Sequence, residues 1–185
     1  QSFSDFEFLV INDGSTDSTG QILDQYKDSR LRVIHSEDNR GIPFQVNRGL
    51  DSARGYYIAR MDGDDVAVPD RLERQVRFME AHRDVAICGS YVFQFNDSGR
   101  SDLWKFPTEH GELQSCLFFR GAFCNPSTIL RRDALTTHEL RYDESYPLAE
   151  DYHLWYRLLR VARGANIPRP LLRYRISDSQ VTQAR

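Results

Sequence analysis

The stretch Gly55-Tyr56-Tyr57-Ile58-Ala59-Arg60-Met61-Asp62-Gly63-Asp64-Asp65 carries an apolar strand straight into three carboxylates within four residues. Like charges this close repel one another, so burying them without a cation is costly. In an extended backbone Asp62 and Asp64 project to the same side, and Gly63 lets a ligand or another backbone come close. Hard divalent ions such as Mg²⁺ or Mn²⁺ take oxygen ligands of this kind, completed by water and phosphate. Asp64, Asp62 and Asp65 are therefore the candidate metal ligands. A solvated acidic turn is the plain alternative. A calcium loop of the EF-hand kind is excluded, because the third alternating acid and the closing Glu are missing.

Outward from this loop, strand-like and helix-like segments alternate, which predicts an α/β fold with a partly parallel sheet. Strands are expected over Phe6 to Ile11, Leu31 to His35, Tyr56 to Met61, Val85 to Phe95, Ser127 to Arg131 and Leu171 to Ile176. Asn96-Asp97-Ser98-Gly99 reads as a turn and Leu103 to Pro107 as irregular. Helices are expected after Ser15 or Asp17 as cap, with Ile22, Leu23 and Tyr26 on one face, and from Gly41 to about Arg54. Another starts at Val68-Pro69-Asp70 with Leu72, Val76 and Met79 inward, and another covers Glu109 to Phe119. The last runs from Ala149-Glu150-Asp151, packs Leu154, Trp155, Leu158, Leu159 and Ala162, and stops at Gly164.

Two further acidic clusters sit at element ends. Asn12-Asp13-Gly14-Ser15-Thr16-Asp17 lies at a strand's carboxyl end, the edge where open α/β sheets bind nucleotides. Asp13 there suits either a base or ribose contact or a plain turn. Glu150-Asp151 heads an amphipathic helix, where a carboxylate caps the N-terminus or takes a proton from a substrate hydroxyl.

The 185 residues suit one domain burying roughly 70% of its unfolded surface. No apolar run approaches the ~20 residues of a membrane helix, and the N-terminus shows no signal-peptide pattern. Cys88, Cys116 and Cys124 are too few and too irregular for a zinc site or disulfide framework, so a cytoplasmic setting is expected. Of 24 basic residues only Lys27 and Lys105 are lysine; the other 22 are arginine. Arginine forks suit phosphates. After Asp151 seven arginines face a single acid, Asp178, and this basic end suits an anionic membrane surface. The net charge of -3 argues against nucleic acid as a partner. The five histidines have no metal-ligand spacing, and Trp104 and Phe106 suit packing better than an acceptor groove.

Taken together, the clusters resemble the family-two glycosyltransferases. The likeness runs through Phe6 to Asp17, Glu37-Asp38-Asn39-Arg40-Gly41, Asn47-Arg48-Gly49-Leu50, Gly55 to Asp65, Asn125-Pro126-Ser127, Ala149 to Trp155 and Leu172-Arg173-Tyr174-Arg175. It implies a GT-A-like (Rossmann-like) mixed sheet flanked by helices, as a single domain over 1–185. Residues 1–95 would be its nucleotide-sugar half and 96–185 its acceptor half. It also implies inverting transfer of a sugar from a nucleoside-diphosphate sugar, with uridine the family's commonest base, to a saccharide or lipid-linked acceptor. By position, Asp13, Asp62, Arg60 and Asn39 would serve the donor, with Arg173 and Arg175 near the diphosphate. Asp64, Asp62 and Asp65 would serve Mn²⁺ or Mg²⁺. Asp151 would be the general base and Glu150 its neighbour. Bacterial polysaccharide or glycan assembly at the inner face of a membrane is the implied setting.

Three departures stand out. The likeness begins after the strand, turn and helix that open the family, so the fold is expected to be incomplete at its N-terminus. An exposed sheet edge there favours pairing with another copy of the chain. Asn12 replaces an acid, and the tail around Ile176-Ser177-Asp178 lacks a family histidine. The competing reading is a non-catalytic remnant that binds donor weakly or not at all. A nucleotidyltransferase is disfavoured because Gly14-Ser15-Thr16-Asp17 is no basic phosphate loop, and a phosphatase because no nucleophilic Asp is suitably set. Weak or absent affinity for nucleoside diphosphates with Mn²⁺ is expected of the chain as given. Isothermal titration checks this, and micromolar binding contradicts it.

Overall fold

The first strand, β1 (Phe8–Asp13), pairs in parallel with β2 (Leu31–Ser36), from Phe8 opposite Leu31 to Asp13 opposite Ser36. This is a computed structural model, and it describes residues 1–96, 99 and 101–177. The middle of the expected 96–99 turn and the tail from Asp178 lie outside the described residues. Helix α1 (Thr19–Gln25) follows β1, and α2 (Ile42–Ser52) follows β2. A second sheet has the order β3 (Tyr57–Ala59), β7 (Ile129–Arg131), β5 (Val85–Phe95), β8 (Arg163–Arg175), β4 (Val66–Ala67). β6 (Ser101–Trp104) pairs with the far end of β5. Among the described residues β1 pairs only with β2 and β3 only with β7. Each therefore keeps one edge without a strand partner among the described residues.

β5 is the central strand, antiparallel to β7 and parallel to β8. Its run Val85-Ala86-Ile87-Cys88-Gly89-Ser90 is buried on both faces, as a strand covered on each side must be. Helices α3 (Arg71–Ala81), α4 (His110–Cys116), α5 (Arg132–Thr137) and α6 (Glu150–Leu158) flank it. The main core joins Ile87, Leu113, Phe123 and Leu130 to Leu154, Trp155, Leu158 and Leu159 of the α6 segment. Phe123 and Trp155 meet edge-to-face at 5.3 Å.

Several expectations change. β1 begins and ends two residues later than read, so Asn12 and Asp13 are strand residues. Asp17, not Ser15, accepts the first amide of α1, from Thr19 at 2.9 Å. That helix buries none of its residues, and Ile22 and Tyr26 stay exposed. α3 is rotated: Arg71, Gln75 and Met79 face inward at a spacing of four, and Leu72 and Val76 lie at the flank. The strand before the acidic loop is only three residues long, and part of the segment read as irregular is β6. α6 ends at Leu158, six residues before Gly164, which belongs to β8. β8 itself starts eight residues early. A register break between Ser90–Ile167 and Tyr91–Pro170 lets Pro168 and Pro170 pass without amides to offer, as bulges do.

Gly89 shows how tight the centre is. A β-carbon there would stand 2.2 Å from Asn166 Oδ1 and 3.0 Å from the Phe123 ring. Asn166 cannot yield easily, because its Nδ2 donates to the Pro107 and Ala122 carbonyls at 2.7 and 3.0 Å. Gly89→Ala is expected to cost about 2 kcal/mol or more in urea unfolding. Gly111→Ala, which meets nothing within 4 Å in α4, is expected to gain roughly 0.5–1 kcal/mol.

Candidate active site

Asp13 ends β1 and clamps the chain that enters α2. Its carboxylate accepts the Arg40 and Gly41 amides, each at 2.9 Å, and the side-chain amide of Gln45. Partial burial works to raise its pKa, but those three donors and the Arg40 charge outweigh it and hold the group below the usual aspartate range. Asn39 donates from Nδ2 to the Asp13 carbonyl at 3.2 Å, so two of the predicted donor-side residues stand together. Gly14 has φ 68°, and a β-carbon there would meet Asn39 N and Asp38 C at 2.7 Å, so only glycine fits this crossing. Asn12 is buried, with Oδ1 accepting the Ser15 amide and Nδ2 against His35. It braces the turn.

The acidic loop leaves β3 as a turn, not as extended chain, so the alternation expected of Asp62 and Asp64 does not apply. Asp62 ion-pairs with Arg60 at 2.8 Å, and Arg60 also donates to the Met61 carbonyl at 2.6 Å. Asp64 is exposed, and its carbonyl accepts Arg175 Nε at 3.1 Å. Asp65 turns inward: Oδ1 accepts the Arg175 amide at 2.9 Å, and Oδ2 is buried without a partner. Burial lifts its pKa to about 6, and Asp62 and Asp64 push the same way. Among the described residues no group of three His, Cys, Asp or Glu side chains is gathered closely enough to hold a metal ion. The oxygens of Asp62 and Asp64 and the orphaned Asp65 Oδ2 still make a hard, cation-compatible donor set.

Beneath the loop lies a residue that sequence reading missed. Arg71 is 1% exposed and donates to the Arg60 and Thr128 carbonyls at 2.7 and 3.3 Å and to Gln75 at 3.0 Å. Burial lowers its pKa to about 10, with Cys124 and Asp65 opposing. Gln75 in turn donates to the Ser127 carbonyl at 2.8 Å, tying α3 to the Asn125–Ser127 turn. The available signal was polar: an arginine and a glutamine four apart, just after Val68-Pro69-Asp70.

Glu150 and Asp151 open α6, and Glu150 is buried. Asp151 Oδ1 accepts the Tyr152 amide at 2.6 Å. Burial raises the pKa of both carboxyls; Arg60 pulls them back and Asp62 pushes them up. The buried phenol of Tyr142, raised chiefly by burial, feels Arg60, Asp151, Glu150 and Asp62 as well. Arg60–Asp62 and Glu150–Asp151 therefore form one electrostatic cluster, although 85 residues or more separate them in sequence. Tyr142 was also missed. Its amide donates to Asn47 Oδ1 at 3.0 Å and its carbonyl accepts Asn47 Nδ2 at 2.8 Å, which joins this loop to α2. Arg173 and Arg175 both lie over the Phe95 ring, at 4.6 and 4.7 Å, and only Arg175 reaches the acidic loop.

Known proteins resemble this arrangement in sequence and in fold. Over 98% of the chain, 33% of residues are identical to an uncharacterized glycosyltransferase of Haemophilus influenzae, and the chain spans 60% of that relative's length. It is 30% identical to the Escherichia coli O-antigen biosynthesis glycosyltransferase WbnJ, covering all of this chain and 73% of that one. The crystal structure of Staphylococcus aureus TarS 1-349 in complex with UDP-GlcNAc superposes with a TM-score of 0.79 over 100% of this chain and 54% of that one. At 21% identity this likeness shows the fold, GT-A. The family model for glycosyl transferase family 2 matches residues 1–138, from the Asp13 clamp past the acidic loop. The chain belongs to glycosyl transferase family 2.

Proposed function

We propose that the site moves a sugar from a nucleoside-diphosphate sugar to an acceptor hydroxyl, with inversion, in bacterial polysaccharide or glycan assembly. The observation that carries this reading is the pair of carboxyls at the head of α6, raised by burial and within electrostatic reach of Arg60 and Asp62. An acceptor hydroxyl is a poor nucleophile until its proton leaves, and a carboxylate of raised pKa is the stronger base for taking it. Asp151 fills that role at the head of α6. Glu150, buried beside it, keeps a second acidic group against the acceptor side. On the donor side Asp13 and Asn39 line the nucleotide end, and Arg60 and Arg175 face the diphosphate. That TarS was solved with UDP-GlcNAc supports a nucleotide sugar as the donor.

A divalent cation, Mn²⁺ or Mg²⁺, is proposed at Asp64 and Asp62, with Asp65 supporting from below. Bound there it would supply Lewis-acid stabilisation to the leaving diphosphate. One base and one charge-stabilised leaving group make a single displacement, whereas a glycosidase needs two carboxyls flanking the bond. The second reading is a fragment that binds donor poorly. It is favoured by the three donors that already occupy the Asp13 carboxylate and by the open edges of β1 and β3. Those edges also suit self-association.

Donor turnover at saturating substrate separates the two. Asp151→Asn is expected to fall about a hundredfold or more below the parent chain, the scale of a lost general base. Asp64→Ala is expected to lose activity together with its response to added Mn²⁺ and to chelator. Equal rates in all three proteins would reject catalysis. A pH profile gives a further check. Because burial raises the Asp151 pKa, the base is protonated as pH falls through a value above the ordinary aspartate range. Turnover is expected to drop on that acid limb and to level off toward neutrality, with the limb absent in Asp151→Asn.

A further inference from the structure

The turn that follows α4 presents two bare rings. Phe118 is 79% exposed and Phe119 90%, the latter the most exposed large apolar side chain among the described residues. The turn is nonetheless well made. The Phe118 amide donates to Ser115 at 3.2 Å, and those of Phe119 and Arg120 donate to Cys116 at 3.0 and 2.9 Å. Beside it lies a hollow of about 320 Å³ lined by Gln114, Leu117, Phe118, Tyr156, Leu159 and Arg160. Tyr156 and, just beyond the helix, Val161 are also exposed.

Charge accompanies this apolar tip. Arg120 and Arg160 are exposed, and neither has an ion-pair partner among the described residues. Arg160 rests on the Tyr156 ring at 5.6 Å, whereas nearby Arg163 is already matched to Asp84 at 3.1 Å. Two phenylalanines expose roughly 300–400 Å² between them, well short of the ~800 Å² per partner of a stable protein contact. A small aromatic wedge flanked by guanidinium groups fits a different surface. Its rings enter the boundary of headgroups and acyl chains, and its arginines meet lipid phosphates.

We propose that the Phe118–Phe119 turn, with Arg120 and Arg160, docks this chain on the surface of an anionic lipid bilayer. The Tyr152 hydroxyl donates to the Leu117 carbonyl, which fastens the turn to α6 one residue after Asp151. Docking therefore brings the head of α6 close to the membrane, where an acceptor carried on a lipid would be presented. This last consequence rests on the transferase reading; the docking does not.

Co-sedimentation of the chain with phosphatidylglycerol–phosphatidylcholine vesicles tests it. Binding is expected to be strong on the mixed vesicles, weak on phosphatidylcholine alone, and reduced by salt. The double variant Phe118→Ser/Phe119→Ser is expected to stay in the supernatant. Arg120→Gln and Arg160→Gln are each expected to weaken binding roughly fivefold. All four side chains are exposed, so circular dichroism melting should match the parent. Failure of the parent chain to bind, or unchanged binding by the double phenylalanine variant, overturns the proposal. So does a loss of self-association in sedimentation velocity with vesicle binding intact, since the rings would then serve a protein contact. Donor turnover in vesicle-free buffer should be unchanged in these variants. Its absence from the parent chain would sink the transferase reading and leave the vesicle result standing.

Discussion

A guanidinium kept away from water holds this fold's functional end together. Arg71 comes from the first turn of α3, yet its hydrogen bonds go to the end of β3 and to the residue before β7. It thus fixes the backbone just before the acidic turn and supplies positive charge that acts on Asp65. Burying one charge is expensive, and the cost is met only where hydrogen bonds and an opposite charge surround it. Here they do. Asp65 favours that charge electrostatically, and the hydrogen bonds to the Arg60 and Thr128 carbonyls and to Gln75 supply the rest.

The carboxylates of the site show how position sets chemistry. Asp13 and Asp65 are the same residue type at the ends of two strands. Asp13 collects two amides and a glutamine side chain and stays ionised readily. Asp65 has one amide, one buried oxygen without a partner, and two acidic neighbours, so its proton is held more tightly. The first is an anchor. The second carries a charge that its surroundings disfavour.

Much of this was legible in the sequence, for identifiable reasons. The central strand, read as Val85 to Phe95, matches to the residue, because its loose alternation of apolar residues runs up to a clear turn signal at Asn96. The head of α6 was equally clear, since charge and apolar spacing coincide there. The face of α3 was not, because a buried arginine and glutamine look like solvent-facing residues until their backbone partners are known. The first eight residues of β8 were not legible, since Gly164 reads as a helix stop and the break in register that accommodates Pro168 and Pro170 is visible only in the pairing. Asp62 and Asp64 were read as strand neighbours. The chain turns at Gly63 instead, and nothing local announces that Asp65 will find its amide 110 residues away.

That distant amide gives the last strand a second duty. Arg175 pairs with Phe95 in the sheet register, stacks on its ring, and offers both its main-chain and its side-chain N–H to the acidic loop. The bulk of β8 would survive a cut just after Leu172, since its long pairing with β5 lies upstream. The loop, however, would lose its fastener. A cut at this border would therefore free the acidic loop while most of the β5–β8 pairing stays in place.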